Sequence, residues 1–140
     1  MIHNFRELVV WQKSMELTKQ VYAQTKAFPS HELYGLTSQI QRAAVSIPTN
    51  IAEGAGRSTN KDLCHFLSFS IGSAYELETE LSLAKEFEYI SADVYEDLHL
   101  QLIEVQKMLY GLINKHQNIN DGKQRALSSL STVFLLSTFY

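Results

Sequence analysis

Apolar side chains recur every three or four positions through the first 116 residues, which is the period of an α-helix with one buried face. The pattern predicts four helices. The first covers about residues 6–27, and the second runs from an N-cap at Ser30, with Glu32 in its first turn, to the glycines at 54 and 56. The third runs from residues 58–60 to about Phe87, and the fourth runs from residues 91–93 towards His116. Short connections favour an antiparallel up-down-up-down four-helix bundle, so the predicted fold class is all-α.

Each predicted helix has a core stripe. On helix one the stripe is Leu8, Trp11, Met15, Thr18 and Tyr22, widened by Leu17 and Val21. On helix two it is Leu33, Leu36, Ile40, Ala43 or Ala44, Ile47 and Ile51. On helix three it is Leu63, Phe66, Leu67, Ile71, Ala74, Leu77, Leu81 and Ala84, and on helix four Val94, Leu98, Leu102, Val105, Leu109 and Leu112.

Proline and glycine positions add local detail to the two central helices. Pro48 lacks the N–H that would bond the Ala44 carbonyl, so it predicts a kink within helix two. The glycines at 54 and 56 predict a left-handed C-terminal end to that helix. Gly72 has small neighbours and predicts either a tolerated packing glycine or a place where another helix approaches closely.

The last part of the chain has a different pattern. Residues 118–122, NINDG, predict a turn, and a degenerate Leu-Ser-Thr repeat follows at Leu127, Leu130 and Leu136. We therefore predict a bundle over residues 1–117 and a low-complexity tail over residues 118–140. Because serine and threonine are poor helix formers, the tail is expected to be mobile or weakly helical.

Composition narrows the class of protein. The chain has 140 residues, of which 45% are hydrophobic and 19% charged, as in a globular domain. Its net charge of −3 gives no overall basic field for nucleic acid. A single cysteine, Cys64, fits a reducing compartment, and the chain shows neither a signal peptide nor a membrane span. The expected location is cytoplasmic.

The chemistry-bearing residues do not form an enzyme motif. Glu96 and His99, like Asp62 and His65, have the i, i+3 spacing of di-iron bundles, but Glu96 lies about 200° from the core-facing Leu98. Neighbouring helical residues project about 100° apart, which separates the side chains of Cys64 and His65. No catalytic, cofactor-binding or metal-binding residue, no cofactor and no small-molecule substrate are predicted, and the protein is expected not to be an enzyme.

Three sets of residues remain as candidate contacts. A polar stripe on helix two, either a solvated face or a contact surface, comprises Gln39, Arg42, Ser46, Asn50, Glu53 and Arg57, with Glu53 and Arg57 spaced for an i, i+4 pair. The candidate nucleic-acid contacts are Arg42, Arg57 and Lys61. The aromatic residues of a candidate interface are Trp11, Phe66, Phe69 and Tyr75. They belong to a larger set of aromatic residues that exceeds what one narrow core accommodates.

Three segments resemble a known family: residues 5–14, 34–54 and 72–79, which read FRELVVWQKS, YGLTSQIQRAAVSIPTNIAEG and GSAYELET. Gly56 and Arg57 extend the central segment. The chain is similar, over roughly residues 3 to 116, to the bacterial four-helix bundle proteins encoded by intervening sequences of 23S ribosomal RNA genes. The resemblance implies a ring-like homopentamer and no established catalytic residue. A related branch, the accessory variability proteins of diversity-generating retroelements, binds nucleic acid and a reverse transcriptase and is markedly basic, unlike this chain.

Pattern and resemblance together predict a non-enzymatic, oligomeric scaffold or adaptor that contacts itself. The alternative is an RNA-binding accessory protein, with RNA or an RNA-associated protein as partner, linked to ribosomal RNA intervening sequences or to a reverse transcriptase. No membrane partner is expected.

Overall fold

The computed structural model describes residues 4–138, with side chains at residues 4–119 and 121–129. It contains four α-helices: α1 (Val9–Thr25), α2 (Leu36–Ala55), α3 (Asn60–Glu86) and α4 (Ala92–Thr138). Short 3-10 helices cover Phe5–Glu7 and Ser30–Glu32. The described residues include no β-strand. The prediction of an all-α chain with four helices is therefore confirmed.

The four helices surround one core. Packing pairs α1 with α2, α2 with α3, α3 with α4, and α4 with α1, whereas α1 and α3 are not in contact within the described residues. Leucine and isoleucine side chains from all four helices are fully buried at the centre, among them Leu17, Ile40, Leu67 and Leu102. Helices α1 and α3 therefore lie on opposite sides of the molecule.

The buried face of α1 differs from the predicted stripe. Its buried residues are Val10, Ser14, Leu17, Val21 and Thr25, whereas the predicted core residue Tyr22 is exposed. Two of these positions look polar in the sequence, yet the Ser14 hydroxyl donates to the Trp11 carbonyl at 2.8 Å and the Thr25 hydroxyl to the Tyr22 carbonyl at 3.1 Å. A hydroxyl bonded to its own helix can be buried at little cost, and this moves the core face of α1.

The start of α2 lies later than predicted. Residues 30–32 form a separate 3-10 turn, and Leu33, predicted to be in the core, is exposed. The Glu32 carboxylate instead reaches forward and accepts the Leu36 N–H at 2.9 Å. Glu32 was predicted to lie in the first turn of α2. It lies before the helix instead, and its carboxylate accepts one of the N–H groups that have no partner within the first turn.

Pro48 lies inside α2, which runs without interruption to Ala55. The Ala44 carbonyl, which cannot receive an N–H from Pro48, accepts a hydrogen bond from the Thr18 hydroxyl of α1 at 3.0 Å. The same hydroxyl lies 2.8 Å from the Ser14 carbonyl, so its single proton is shared between the two carbonyls. The gap that proline leaves in the α2 ladder is thus filled from the neighbouring helix.

We expect Thr18→Val to destabilise the protein by about 1 kcal/mol, because the Ala44 carbonyl loses its donor. In a Pro48→Ala background the cost should shrink, since residue 48 then supplies the missing N–H. Urea unfolding of the four members of this double-mutant cycle measures the coupling. The control is Thr49→Val, which removes an exposed hydroxyl bonded to Val45. Additive effects of the two changes would contradict the assignment.

The glycines at the end of α2 act differently from the prediction. Gly56 has φ −82°, so it is not left-handed. Gly54 is buried where α2 meets α3: a Cβ at this position would lie 3.0 Å from the Cβ of Phe66 and 3.2 Å from the Leu63 carbonyl oxygen. A Cβ at Gly72 would meet nothing within 4 Å, so of the two readings of Gly72 the close helix approach is not found there; it is found at Gly54.

Helix α4 continues through the predicted turn and ends at Thr138. Turn-forming residues such as Asn118, Asp121 and Gly122 each cost a helix at most about 1 kcal/mol, which does not break the hydrogen-bond ladder. Every side chain described after His116, at residues 117–119 and 121–129, is exposed. The side chains of the repeat from residue 130 onwards, and all of residues 139–140, lie outside the described residues.

Removal of the residues after Gln117 should leave the bundle with a nearly unchanged Tm, because none of the described side chains beyond this point is buried. Limited proteolysis followed by thermal unfolding of the purified core checks this. A Tm loss of more than a few degrees would show that the tail packs on the core. The division into a bundle and a tail stays a prediction.

Candidate functional site

The polar stripe on α2 has a half-buried centre and exposed ends. At the centre, the Ser46 hydroxyl lies 2.7 Å from the Ser73 hydroxyl of α3. The Asn50 amide donates to the Ser46 carbonyl at 2.9 Å and to its hydroxyl at 3.0 Å. Ser46 therefore joins α2 to α3, and Asn50 holds Ser46 from within α2. Of the stripe, only Gln39, Arg42, Glu53 and Arg57 remain exposed for contacts outside the chain.

One exposed end of the stripe borders an open groove of about 530 Å³ between α2 and α3. Its lining includes Gln39, Arg42 and, from α3, Glu76. The Arg42 guanidinium has neither a hydrogen bond nor an ion pair within the described residues. Arg42 therefore presents a free cation on this face.

The other exposed end carries the predicted ion pair, which is confirmed. Arg57 Nη2 donates to Glu53 Oε1 at 2.8 Å, and its guanidinium lies 4.5 Å from the centre of the Phe66 ring. Both charged side chains remain more than 40% exposed, so the pair contributes at most about 1 kcal/mol to stability. Arg57 is therefore partly neutralised, unlike Arg42.

The candidate nucleic-acid contacts do not form one cluster. Arg42 lies in the second turn of α2 and Arg57 just beyond its C-terminal end, about 22 Å apart along the helix axis at 1.5 Å per residue. Lys61 is exposed in the first turn of α3, close in sequence to Arg57. Only Arg57 and Lys61 therefore share one end of the molecule.

The candidate interface residues lie on two opposite helices. Trp11 of α1 is half-buried and meets the Phe5 ring edge to face at 5.2 Å. On α3, the rings of Phe66 and Phe69 lie 5.8 Å apart, and Phe69 is 49% exposed. Tyr75 is also exposed, and its hydroxyl lies 2.8 Å from that of Tyr110 on α4. Because α1 and α3 do not touch, these aromatics form two separate surfaces.

A polar network between α3 and α4 was not predicted. The Glu78 carboxylate accepts the Gln106 amide at 2.9 Å, and its other oxygen lies 3.0 Å from His99 Nε2. The Gln106 hydrogen bond lowers the pKa of Glu78 despite partial burial, and His99 adds to this. His99 is thus engaged by Glu78, while Glu96 is exposed.

Glu80 was also missed. Its side chain, on α3, is buried, and its Oε2 atom has no hydrogen-bond partner. Burial raises the pKa of Glu80 to about 7, with a further contribution from Glu76. The only sequence signal was its phase, since Glu80 stands between Leu77 and Leu81 of the core stripe.

Reactive groups are not gathered into a catalytic arrangement within the described residues. The Cys64 thiol is buried, which raises its pKa, and lies 3.8 Å from the Ile113 carbonyl. The His65 ring packs 4.4 Å from the Phe69 ring instead of approaching Cys64. Among the residues with described side chains, no three potential metal ligands cluster, and none of the helices there is long and apolar enough to cross a membrane.

Comparison with known proteins identifies the family. The model of the 23S rRNA-intervening sequence proteins matches residues 6–111. A crystal structure of a protein of unknown function from the S23 ribosomal protein family of Bacteroides thetaiotaomicron is 28% identical, with a TM-score of 0.70 over 75% of this chain and 98% of that one. No protein of curated function matches the sequence. The resemblance noted in the sequence is therefore confirmed, and the chain belongs to the 23S rRNA-intervening sequence protein family.

Proposed function

We propose that this protein is a non-enzymatic, cytoplasmic scaffold or adaptor that acts as a ring-like homopentamer. Its subunit is an antiparallel up-down-up-down bundle, supported by the order of contacts between α2 and α3. Ser46 meets Ser73, and further along α2 Gly54 approaches Phe66 and Leu63, so positions rise on one helix as they fall on the other.

The observation that carries the proposal is the pair of aromatic surfaces on opposite sides of the bundle. One surface is centred on Trp11 and the exposed Val9 of α1, and the other on the adjacent rings of Phe66 and Phe69 of α3. The exposed Tyr75 lies further along α3, next to Tyr110 of α4. Exposed apolar groups of this kind usually mark an interface. Two different surfaces on opposite faces favour a heterologous contact, which generates a ring when the rotation closes.

Light scattering coupled to size exclusion tests the assembly, with an expected mass near five times the 16.0 kDa chain. Phe69→Ser should lower this mass, because it removes an exposed aromatic ring that the interface would bury. The matched control is Leu100→Ser, since Leu100 of α4 is 61% exposed but lies on neither surface. A monomer at micromolar concentration, or equal loss from both variants, would overturn the proposed interface.

The alternative function is RNA binding, and the free guanidinium of Arg42 favours it. Arg57 and Lys61 add charge near the other end of α2, and a ring of subunits would repeat each cation and increase avidity. Against this, the net charge of −3 weakens the sequence-independent attraction to phosphate. The scaffold therefore remains the better-supported function.

Titration of labelled RNA at two salt concentrations separates the two functions, and we expect weak binding. The variants Arg42→Ala and Arg57→Ala test the candidate contacts, and Lys19→Ala, which removes an exposed cation of α1, is the control. Sub-micromolar, strongly salt-dependent binding that the two arginine variants weaken and the control does not would establish the RNA-binding alternative instead.

A further inference from the structure

An apolar groove of about 190 Å³ lies between the start of α1 and the part of α4 around Gly111. The groove is open at this glycine, because a Cβ there would meet nothing within 4 Å. A cavity of about 150 Å³ is large enough for one benzene ring, so the groove has room for one aromatic side chain. Apolar residues that line it include Leu8, Val9, Met108 and Leu112. Val9 also belongs to the α1 surface described above, so the groove is continuous with that surface.

The α3 surface carries an aromatic ring of this size. Phe69 is 49% exposed, although its ring packs against those of His65 and Phe66. Phe66 approaches Gly54 of α2, so this surface lies on the α2–α3 side of the molecule. The groove lies on the α1–α4 side, which is the opposite one, because each helix packs against its neighbours around the core. A subunit therefore cannot place the Phe69 ring in its own groove.

Phe69 and Gly111 lie at the same height along the bundle. On α3, Phe69 lies between residues 64 and 75, which contact residues 113 and 110 of α4. Gly111 lies between those two residues of α4. A closed ring is generated by rotation alone, so groups of equal height meet when the bundles stand parallel to the ring axis. The ring and the groove are therefore at the level where neighbouring subunits would bring them together.

Charged residues flank the ring and the groove. On α3, Asp62 and Glu76 lie seven positions before and after Phe69, which returns them to nearly the same side of the helix. On α4, Lys107 and Lys115 lie four positions before and after the glycine of the groove. All four charged side chains are exposed and form no ion pair within the described residues.

The order of these charges is complementary. In the antiparallel bundle proposed above, height rises along α3 as it falls along α4, so Asp62 lies towards the same end of the molecule as Lys115. Glu76 likewise lies towards the same end as Lys107. The surface with the exposed ring thus carries an acid on each side where the groove carries a lysine, which favours a second copy of this chain as the occupant.

We propose that the groove between α1 and α4 receives the Phe69 side chain of a second copy of this chain. Lys115 then faces Asp62 of the other copy, and Lys107 faces its Glu76. The inference deepens the proposed function and rests on it, since it requires an assembly in which the two surfaces meet. It assigns that contact to one ring in one groove, whatever the number of subunits.

Gly111→Leu tests the groove, since a leucine at this open helical position fills the groove without disturbing the subunit. Each contact between subunits should weaken by about tenfold, because the half-exposed Phe69 ring is no longer buried. Light scattering coupled to size exclusion, over a range of concentrations, measures the loss. The control is Gly122→Leu, the same replacement in the same helix outside the groove. Circular dichroism checks that both variants keep their helices.

Phe69→Ala in the Gly111→Leu background tests which side chain enters the groove. Two independent losses of about tenfold would multiply to about a hundredfold, whereas the double variant should lose no more than about tenfold, because the ring that the leucine excludes is gone. Tyr34→Ala replaces Phe69→Ala in the control pair and should give no relief. It removes a 94% exposed ring that precedes α2 and does not line the groove.

A reversal of charge tests the flanking pairs. Lys115→Glu should lower the mass of the assembly, because it places two carboxylates against each other. Asp62→Lys in the same chain should restore the mass, and a failure to restore it would overturn the pairing of these residues.

The outcomes separate this inference from the proposed function. If the wild-type protein is an oligomer and Gly111→Leu has no more effect than Gly122→Leu, the groove is not part of the contact and only this inference fails. If Gly111→Leu lowers the mass and Phe69→Ala gives no relief, another group fills the groove, and the inference is again overturned while the assembly stands. A monomeric wild-type protein would overturn both.

Discussion

Replacement of Glu80 by glutamine is expected to stabilise the protein above pH 7 by up to about 3 kcal/mol and to leave its stability at pH 4 nearly unchanged. The Glu80 side chain is 5% exposed, and one of its oxygens has no partner. An ionised carboxylate in this position lacks compensation, so burial raises its pKa from 4.5 to about 7. Glutamine keeps the shape and removes the charge.

The direction of the pH dependence follows from proton binding. Between pH 4.5 and about 7 the folded protein retains a proton on Glu80 that the unfolded chain releases. Stability therefore falls as the pH rises through this window, by about 1.4 kcal/mol for each unit of pKa difference. Above pH 7 the loss from this group is complete.

Urea unfolding at pH 4, 5.5 and 8, at one protein concentration, measures the pH dependence of stability in the wild-type protein and in Glu80→Gln. The matched control is Glu76→Gln, because Glu76 is exposed, and its charge and side-chain hydrogen bond raise the pKa of Glu80 less than burial does. The control should recover a minor part of the effect. If the wild-type protein and Glu80→Gln show the same change between pH 5.5 and 8, Glu80 does not hold the proton.

The core of α2 could be predicted from the sequence because its buried positions are strongly apolar and evenly spaced. Leu36, Ile40, Ile47 and Ile51 are all buried as expected. The face of α1 could not be predicted in the same way, since Ser14 and Thr25 are buried through hydrogen bonds to carbonyls of their own helix. A pattern of hydrophobic residues does not reveal that a serine or threonine hydroxyl bonds to its own helix and can therefore be buried.

In the candidate site, local contacts could be predicted from the sequence and long-range contacts could not. The Glu53–Arg57 pair is a local i, i+4 contact and was predicted from spacing alone. The contacts of Glu78 with His99 and Gln106 join residues 21 and 28 positions apart, so no local pattern reveals them. The course of α4 beyond residue 117 was missed because residues 118–122 predict a turn, whereas the structure continues the helix through them.

The second large effect is expected at Gly54, whose role the sequence suggested wrongly. Its helical conformation would accept any residue, and what excludes a side chain is the 3.0 Å distance to Phe66 Cβ and the 3.2 Å distance to the Leu63 carbonyl. Gly54→Val should destabilise the protein by about 1–3 kcal/mol, because α2 and α3 must move apart to admit it. Gly54→Ala should cost less.

The control is Gly111→Ala in α4, where a Cβ would meet nothing within 4 Å. Glycine in a helix interior is less favourable than alanine by roughly 0.5–1 kcal/mol, so this variant should gain stability. Urea unfolding of Gly54→Ala, Gly54→Val and Gly111→Ala measures the free energy of unfolding of each variant. It compares the replacement of a helical glycine at a crowded position with the same replacement at an open one. Equal stabilisation by alanine at both positions would show that α2 and α3 separate without cost, and that Gly54 does not set their distance.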